Sequence, residues 1–154
     1  MRRVAVFVCS FGYIGFFPVA PGTVGSVAGA AVYLAARAAA VPFLDLLLIA
    51  VFACAGIALT RPCEEDLRCI DPGPIVIDEV MGMLITLALV PVGAGGILLG
   101  FLLFRAFDVA KPFPARHLER LPAGFGVMTD DAMAAVYANL VLRGAVHLAP
   151  GYLT

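Results

Sequence analysis

The sequence has few charged residues and a large excess of hydrophobic ones. Asp, Glu, Lys and Arg together make up 14% of its 154 residues, and hydrophobic residues make up 62%. A soluble domain is roughly one quarter charged and half apolar, so a soluble fold of this composition would leave much apolar surface in water. The length favours one domain, residues 1–154, and the composition predicts that this domain is embedded in a membrane.

Several other absences exclude classes of function. The net charge is −1, which does not favour a nucleic-acid-binding surface. The sequence contains two histidines and four cysteines without CxxC spacing, which argues against a zinc site. It also lacks a Cys-x5-Arg motif, an Asp-x-Asp motif, a phosphate-binding Gly-Lys-Ser/Thr loop and a Gly-x-Ser-x-Gly elbow. Any catalysis is therefore expected to use carboxylates, basic residues and a metal ion.

Asp, Glu, Lys, Arg and His are all absent from three long stretches, residues 4–36, 46–60 and 80–104. Glycines and prolines divide the apolar sequence into helical segments at about 23–40, 43–60, 74–90, 97–110 and 130–147. Residues 4–17 are too short to cross a bilayer comfortably. We therefore predict an all-α integral membrane bundle of about four transmembrane helices, with a short N-terminal interfacial or re-entrant helix. The spacing of Gly25/Gly29 and Gly96/Gly100 would allow close helix packing, although glycine is also simply common in membrane helices.

The charges cluster on one predicted side of the membrane. If the N-terminus, residues 61–79 and residues 105–131 share a face, eight of the ten basic residues lie there. The positive-inside rule makes that face cytoplasmic. Ten of the eleven acidic residues, all except Asp45, fall on the same face. Because acidic residues contribute little to topology, their clustering indicates a polar site.

Residues 18–26, PVAPGTVGS, open one of the predicted helices on this face. Gly22 and Gly25 would bring the backbone close to a ligand, and Thr23 and Ser26 offer hydroxyl groups. Free N–H groups at a helix start favour an anion such as phosphate. Thr23 also fits a simple N-cap.

Two acidic segments are candidates for metal ligation. Asp78 and Glu79 lie at the start of an apolar helix, where carboxylates are costly unless they face a partner or a wet cavity. Asp71 precedes a proline and fits a helix cap or a further ligand. Asp130 and Asp131 follow a glycine-containing loop, where a structural cap explains one aspartate better than two. Oxygen ligands of this kind suit Mg²⁺.

Arg105, Asp108 and Lys111 are spaced three residues apart near the end of the returning helix, so they share one broad face. The preceding turn makes this helix antiparallel to the one that carries Asp78 and Glu79. We expect Arg105 and Lys111 to bind phosphate oxygens. Anchoring of the helix under the positive-inside rule is the alternative, with Asp108 as a neutralising partner.

Four segments together resemble the phosphatidylglycerophosphatase A family. They are PVAPGTVGS (18–26), DPGPIVIDEVMG (71–82), FRAFDVAKPFP (104–114) and GFGVMTDD (124–131), in the family's order and spacing. Two positions depart from the family pattern. Ala123 replaces the first of two frequent glycines, and Ala135 stands where glycine often follows alanine. Both changes leave the charged positions intact.

The resemblance implies Mg²⁺-dependent hydrolysis of phosphatidylglycerophosphate to phosphatidylglycerol and phosphate at the bacterial inner membrane. On this hypothesis Asp78, Glu79, Asp130 and Asp131 provide most metal ligands, with Asp71 or Asp66 as additions. A metal-activated water and an aspartyl-phosphate intermediate both remain open as mechanisms, as do the number of metal ions and the oligomeric state.

A rival hypothesis is a small membrane transporter or lipid-binding scaffold without catalytic activity. A permeation path should place ionisable groups at several depths of the membrane. Most ionisable groups here collect at one end, and Arg143, within the last predicted helix, is the residue that fits this rival best.

Overall fold

The computed structural model describes residues 2–69, 72–118, 121 and 124–154, and within these ranges it contains helices and no strand. The predicted all-α class is therefore confirmed. The helices are α1 (Arg2–Cys9), a 3-10 helix (Ile14–Phe16), α2 (Pro21–Ala38), α3 (Leu44–Leu67), α4 (Ile77–Leu87), α5 (Ala94–Ala110), α6 (Ala115–Leu118), α7 (Gly124–Leu148) and α8 (Pro150–Leu153).

Helix α4 lies at the centre of the bundle and contacts α2, α3, α5 and α7. Nine of its eleven residues are buried. Its sequence is apolar on nearly every face, which is typical of a helix that has neighbours all round. The first turn of α4 carries Asp78 and Glu79, so these two carboxylates enter the protein interior.

The two Gly-x3-Gly pairs lie at points of close helix approach. A Cβ atom added at Gly29 would lie 2.8 Å from the carbonyl oxygen of Val80, and Gly25 is similarly close to α4. The packing predicted for this pair is confirmed. In the second pair, Gly100 packs against side chains of α4 and α7, and Gly96 lies against the α8 segment.

Five helix termini come together at one end of the bundle, which we call the charged end. They are the N-termini of α2, α4 and α7, at Pro21, Ile77 and Gly124, and the C-termini of α3 and α5, at Leu67 and Ala110. The loops between α2 and α3 and between α4 and α5, together with α8, form the far end. Helices α4 and α7 therefore run in the same direction from the charged end, and α5 returns to it.

Several predicted helix boundaries are wrong. Helix α3 continues seven residues beyond Thr60 and includes Pro62. Its last turns pack against α1, where Cys9 and Cys63 are buried in one cluster, and this packing offsets the hydrogen bond that proline removes. Helix α4 is shorter than predicted and ends at Leu87.

Helix α7 begins at Gly124, six residues before the predicted start at Asp130. A Cβ atom at Gly124 would lie 2.7 Å from the carbonyl oxygen of Ile57 in α3. This close contact between helices overrides the low intrinsic helix propensity of glycine.

The N-terminal segment is not one continuous helix. After α1, Gly12 adopts a left-handed φ of 69°, and the chain then forms the short 3-10 helix. The change of direction falls where the sequence has its first glycine.

Among the helices of the described ranges, α3 alone is long and apolar enough to cross a membrane by length and composition. The predicted bundle of about four transmembrane helices is therefore not confirmed as a whole.

Candidate active site

A cavity of about 690 Å³ opens at the charged end of the bundle. Helices α2, α3, α4, α5 and α7 and the segment between α3 and α4 all contribute to its wall. Its lining residues are Ala20, Pro21, Gly22, Thr23, Glu64, Pro72, Gly73, Ile75, Asp78, Glu79, Arg105, Asp108, Lys111, Leu121, Val127, Asp130 and Asp131.

Most of the predicted site residues meet in this cavity. They are Thr23, Asp78, Glu79, Arg105, Lys111, Asp130 and Asp131. Four segments that are distant in the sequence thus converge on one space, because the helices that carry them start or end at the same end of the bundle.

Of the predicted site residues that the structure describes, Ser26 does not line the cavity. Ser26 is fully buried one turn below the cavity, and its hydroxyl donates a 2.9 Å hydrogen bond to the carbonyl oxygen of Gly22. It packs within α2, so we leave it out of the proposed phosphate-binding group. Asp71 lies outside the described residues and stays a prediction. Asp66, the other possible addition, is exposed and does not line the cavity.

Of the two glycines in the first α2 turns, Gly22 lines the cavity as predicted, whereas Gly25 does not. A Cβ atom at Gly22 would collide with Oε1 of Glu79 and lie 3.3 Å from Nη1 of Arg105. Gly25 packs on Val76 at the start of α4. Glycine at these positions therefore lets α2 approach α4 and the charged side chains, and Gly22 also lines the cavity.

The α4 carboxylates occupy the first turn of their helix. Asp78 is 8% exposed, and its Oδ1 accepts a 3.0 Å hydrogen bond from the backbone N–H of Glu79. Negative charge near a helix N-terminus is favourable because the free N–H groups there carry partial positive charge. This local effect stabilises the two carboxylates only in part.

Asp130 and Asp131 face the same cavity from α7, and each is 5% exposed. The sequence pattern predicted that they lie at the start of the helix. Because α7 begins at Gly124, they lie instead between one and two turns inside it. Their position is therefore determined by the packing of α7 against α3 and α4, and not by capping of their own helix.

Two basic side chains link the carboxylates across helices. Nη1 of Arg105 lies 2.6 Å from Oδ2 of Asp108, one turn along α5, and 4.0 Å from Oε1 of Glu79. Nζ of Lys111 donates a 2.7 Å hydrogen bond to Oδ2 of Asp130 in α7. All these side chains are at most 28% exposed, so solvent screens the ion pairs only weakly.

Three of the carboxylates are suitably placed to hold a metal ion. Asp78, Glu79 and Asp131 each offer one oxygen, and these oxygens lie within 4.8 Å of one another. Within the described part of the chain, Oε2 of Glu79 and Oδ2 of Asp131 are buried without a hydrogen-bond partner. Buried carboxylate oxygens normally have one. An all-oxygen ligand set of this kind fits a hard divalent cation such as Mg²⁺.

The cavity carries more negative than positive charge. Among the described residues, six carboxylates line it (Glu64, Asp78, Glu79, Asp108, Asp130 and Asp131), against the cations Arg105 and Lys111. The formal excess of four negative charges over these described residues would repel an anionic ligand such as a phosphate monoester. Bound divalent cations would remove that repulsion.

Two of the charged lining residues were not in the predicted set. Asp108 was considered as a neutralising partner of a neighbouring cation, and the structure shows both its ion pair with Arg105 and its place in the cavity wall. Glu64 was missed because the predicted end of α3 fell before it. The clustering of Glu64 with two further acidic residues directly after an apolar run was the available signal.

The model of the phosphatidylglycerophosphatase A family matches residues 7–146 of this chain, a range that includes every described residue lining the cavity. The chain belongs to the phosphatidylglycerophosphatase A family. The predicted resemblance is thereby confirmed.

Individual relatives agree with this assignment. A phosphatidylglycerophosphatase A of Haemophilus influenzae is 39% identical over 130 residues, which cover 83% of this chain and 80% of the relative. The Escherichia coli K12 protein of the same name is 34% identical over 140 residues, with 83% and 75% coverage. A Bacteroides thetaiotaomicron protein named putative phosphatidylinositol-3-phosphatase is 36% identical over 141 residues, with 85% and 86% coverage. No solved structure matches the chain.

Of the two departures from the phosphatidylglycerophosphatase A pattern, Ala135 is fully buried in the apolar core of the bundle. It is not among the residues that line the cavity. Ala123 lies outside the described residues.

Proposed function

We propose that this protein is a Mg²⁺-dependent lipid phosphatase that hydrolyses phosphatidylglycerophosphate to phosphatidylglycerol and inorganic phosphate, in phospholipid biosynthesis. The observation that carries the proposal is the cavity in which buried carboxylates of α4 and α7 face Arg105 and Lys111 of α5. The names of two relatives support the substrate.

The proposed metal ligands are the carboxylates of α4 and α7. Asp78, Glu79 and Asp131 form the compact oxygen group, and Asp130 lies beside it on α7. When bound, Mg²⁺ supplies positive charge that stabilises the phosphoryl group as it is transferred. The carboxylates would hold that charge in the cavity that Arg105 and Lys111 also line.

Arg105 and Lys111 are proposed to bind the outer oxygens of the phosphate. Each is oriented by a carboxylate, Asp108 for Arg105 and Asp130 for Lys111, so neither side chain has to be ordered when substrate binds. Charge spreads over the outer phosphate oxygens in the transition state, and preorganised cations stabilise it there. Thr23 adds a hydroxyl to the cavity lining from the start of α2.

We further propose that the protein is a multi-pass protein of the bacterial inner membrane with this cavity on the cytoplasmic face. Helices α2, α3, α5 and α7 each expose large apolar side chains along their length, a surface that suits lipid and not water. Examples are Val27, Leu34, Leu47, Val51, Leu98, Leu102, Leu140 and Val141. Most basic residues belong to the charged end, as the positive-inside rule requires of a cytoplasmic face.

The test is phosphate release by the purified protein in detergent micelles that contain phosphatidylglycerophosphate. We expect release with Mg²⁺, loss of release with EDTA and recovery when Mg²⁺ is added in excess. A parallel assay with phosphatidylinositol 3-phosphate examines the other activity named among the relatives. Release that EDTA leaves unchanged would contradict the metal dependence, and faster release from the inositol lipid would contradict the substrate.

A further inference from the structure

Away from the cavity, α7 makes a second polar contact with α4, at the C-terminal end of α4. The side-chain nitrogen of Asn139 lies 3.1, 2.9 and 3.0 Å from the carbonyl oxygens of Ile85, Thr86 and Ala88. Nη2 of Arg143 donates a 3.1 Å hydrogen bond to the same Ala88 oxygen. Asn139 and Arg143 thus bind the end of the helix whose start carries Asp78 and Glu79.

The orientation of the Asn139 amide follows from its neighbours. Nε of Arg143 donates a 2.7 Å hydrogen bond to Oδ1 of Asn139, which directs the amide nitrogen toward α4. That nitrogen has two hydrogens and three carbonyl oxygens within reach, so one hydrogen is shared. Arg143 therefore aligns Asn139 and also donates directly to Ala88.

The need for this contact comes from the position of the helix end. The last carbonyl groups of a helix have no partner within the helix, and Thr86, Leu87 and Ala88 are buried. These carbonyl groups are therefore closed off inside the bundle, and the side chains of α7 take the place of water as their hydrogen-bond donors.

Helices α4 and α7 thus meet at two levels. At the charged end, Asp78 and Glu79 face Asp130 and Asp131, and at the other level Ile85–Ala88 meets Asn139. The two levels are about eight residues apart on each helix. A shift of α4 along its axis would break the hydrogen bonds of Asn139 and would also separate the carboxylate pairs.

We propose that Asn139 and Arg143 are positioning residues for the metal site: by binding the end of α4 they hold its carboxylates in register with those of α7. The inference deepens the proposed function and rests on it for the identity of the site. Arg143, which alone among the basic residues fitted a permeation path, thereby has a structural partner.

The experiment compares Asn139→Ala and Asn139→Asp with Leu142→Ala, which removes a fully buried side chain from the same helix without touching these carbonyl groups. Binding of Mn²⁺, a paramagnetic substitute for Mg²⁺, is measured by electron paramagnetic resonance at an equal interval below each variant's Tm. We expect both Asn139 variants to weaken Mn²⁺ binding by roughly tenfold or more, as loss of an outer partner does at metal sites, and Leu142→Ala to leave it near wild type.

The second part of the experiment tests whether a conservative change at Arg143 preserves Mn²⁺ binding. Arg143→Lys retains a donor for Ala88 and is expected to weaken Mn²⁺ binding less than Arg143→Met. Equal binding in the Asn139 variants and Leu142→Ala would overturn the inference, and so would wild-type protein that binds no Mn²⁺. Wild-type protein that binds Mn²⁺ but releases no phosphate from phosphatidylglycerophosphate would overturn the proposed function and leave the positioning role in place.

Discussion

At the residue scale, the candidate site concentrates negative charge that its own cations do not neutralise. Asp78 and Asp131 are almost fully buried, and among the described residues neither has a basic side chain within 4.0 Å. A buried charge without a partner is strongly unfavourable. Such an arrangement is expected of a cation-binding site, and on the proposed function it is least stable when no cation is present.

This imbalance predicts opposite effects of Asp78→Asn on stability and on activity. The amide keeps the shape of the side chain but loses the charge that Mg²⁺ needs, so most phosphate release should be lost. Without Mg²⁺, removal of one repelling charge should leave Tm unchanged or raise it, whereas the rise in Tm on adding Mg²⁺ should shrink. Phosphate release and thermal unfolding with and without Mg²⁺ measure both effects.

The matched control is Asp130→Asn, which should also lose most activity but should lower Tm, because Lys111 loses its 2.7 Å partner. Both variants should still insert and purify normally. Near-wild-type turnover in either variant would remove that residue from the essential ligands.

Arg105 and Lys111 should differ in how much phosphate hydrolysis depends on the shape of the cationic group. Arg105 reaches Asp108 and Glu79 at once and still borders the cavity. A planar guanidinium group can make paired hydrogen bonds with phosphate that an ammonium group cannot. Arg105→Lys should therefore lower kcat/KM about ten- to a hundredfold, the equivalent of one charge-assisted hydrogen bond.

Lys111→Arg should be milder, because Lys111 caps the end of α5 and its 2.7 Å contact with Asp130 uses a compact ammonium group and no planar fork. Both variants keep the positive charge that the topology requires. Equal kcat/KM for the two, close to wild type and in the same micelles, would mean that these residues only anchor α5.

At the scale of helices, sequence patterns located the site residues better than they located the helix ends. The carboxylates of α4 were placed correctly at a helix start because apolar sequence follows them. In α7, residues Thr129–Asp131 look like a cap, yet the Thr129 hydroxyl donates back to Phe125 within the helix. The true start at Gly124 depends on contact with α3, and no local pattern contains that information.

The same limit explains Ser26. Its neighbour Thr23 lines the cavity, but three residues further along α2 the helix has moved about 4.5 Å deeper, where α4 covers it. The sequence shows a hydroxyl near a helix start, whereas only the packing of α2 on α4 shows which hydroxyl is accessible.

The contact between α2 and α4 predicts that Gly29→Ala is strongly destabilising. A Cβ atom there would lie 2.8 Å from the carbonyl oxygen of Val80 and 2.8 Å from Cβ of Met83. Backbone and Cβ atoms cannot rotate away, so the helices must separate, at a cost of about 1–3 kcal/mol. Thermal unfolding should show a clear fall in Tm and, because the α4 carboxylates move, a weaker response to Mg²⁺.

Gly144→Ala in α7 is the control, because nothing lies within 4 Å of a Cβ atom at that position. Alanine favours helix more than glycine does, so Tm should not fall. Equal decreases in Tm for the two variants would show that α2 and α4 do not pack as closely as described.

At the scale of the whole molecule, the charged end and the apolar sides indicate one orientation. The sequence predicted that eight of the ten basic residues lie on the same side of the membrane as the site. Those of the eight that the structure describes belong to helices or segments at the charged end or to α1 and α6. The sides of the bundle expose leucine, valine and phenylalanine on several helices. A phosphatase with such a surface would meet a lipid headgroup at the membrane boundary without extracting the lipid.

The native cysteines provide a test of this orientation. Cys69 is exposed directly after α3, and Cys54 is exposed within α3, where we expect lipid. Cys9 is buried, and its burial raises the pKa of the thiol to about 12. Maleimides react with the thiolate, so at neutral pH Cys9 should remain unlabelled. A water-soluble maleimide should therefore label Cys69 and little else in the wild-type protein.

A second labelled cysteine at the other end of α3 tests whether this helix crosses the membrane. Val41 is exposed in the loop between α2 and α3, just before the helix, whereas Cys69 follows the helix end. If α3 crosses the membrane, Cys69 should react in inverted vesicles and Val41→Cys only in intact spheroplasts, because 24 residues rise about 36 Å. The Val41→Cys variant with Cys69 replaced by Ser isolates the second label. Reaction of both positions from one face would mean that α3 does not span. The carboxylates of α4 and the basic residues of α5 would still share a cavity, but its assignment to the cytoplasmic face of a multi-pass protein would be wrong.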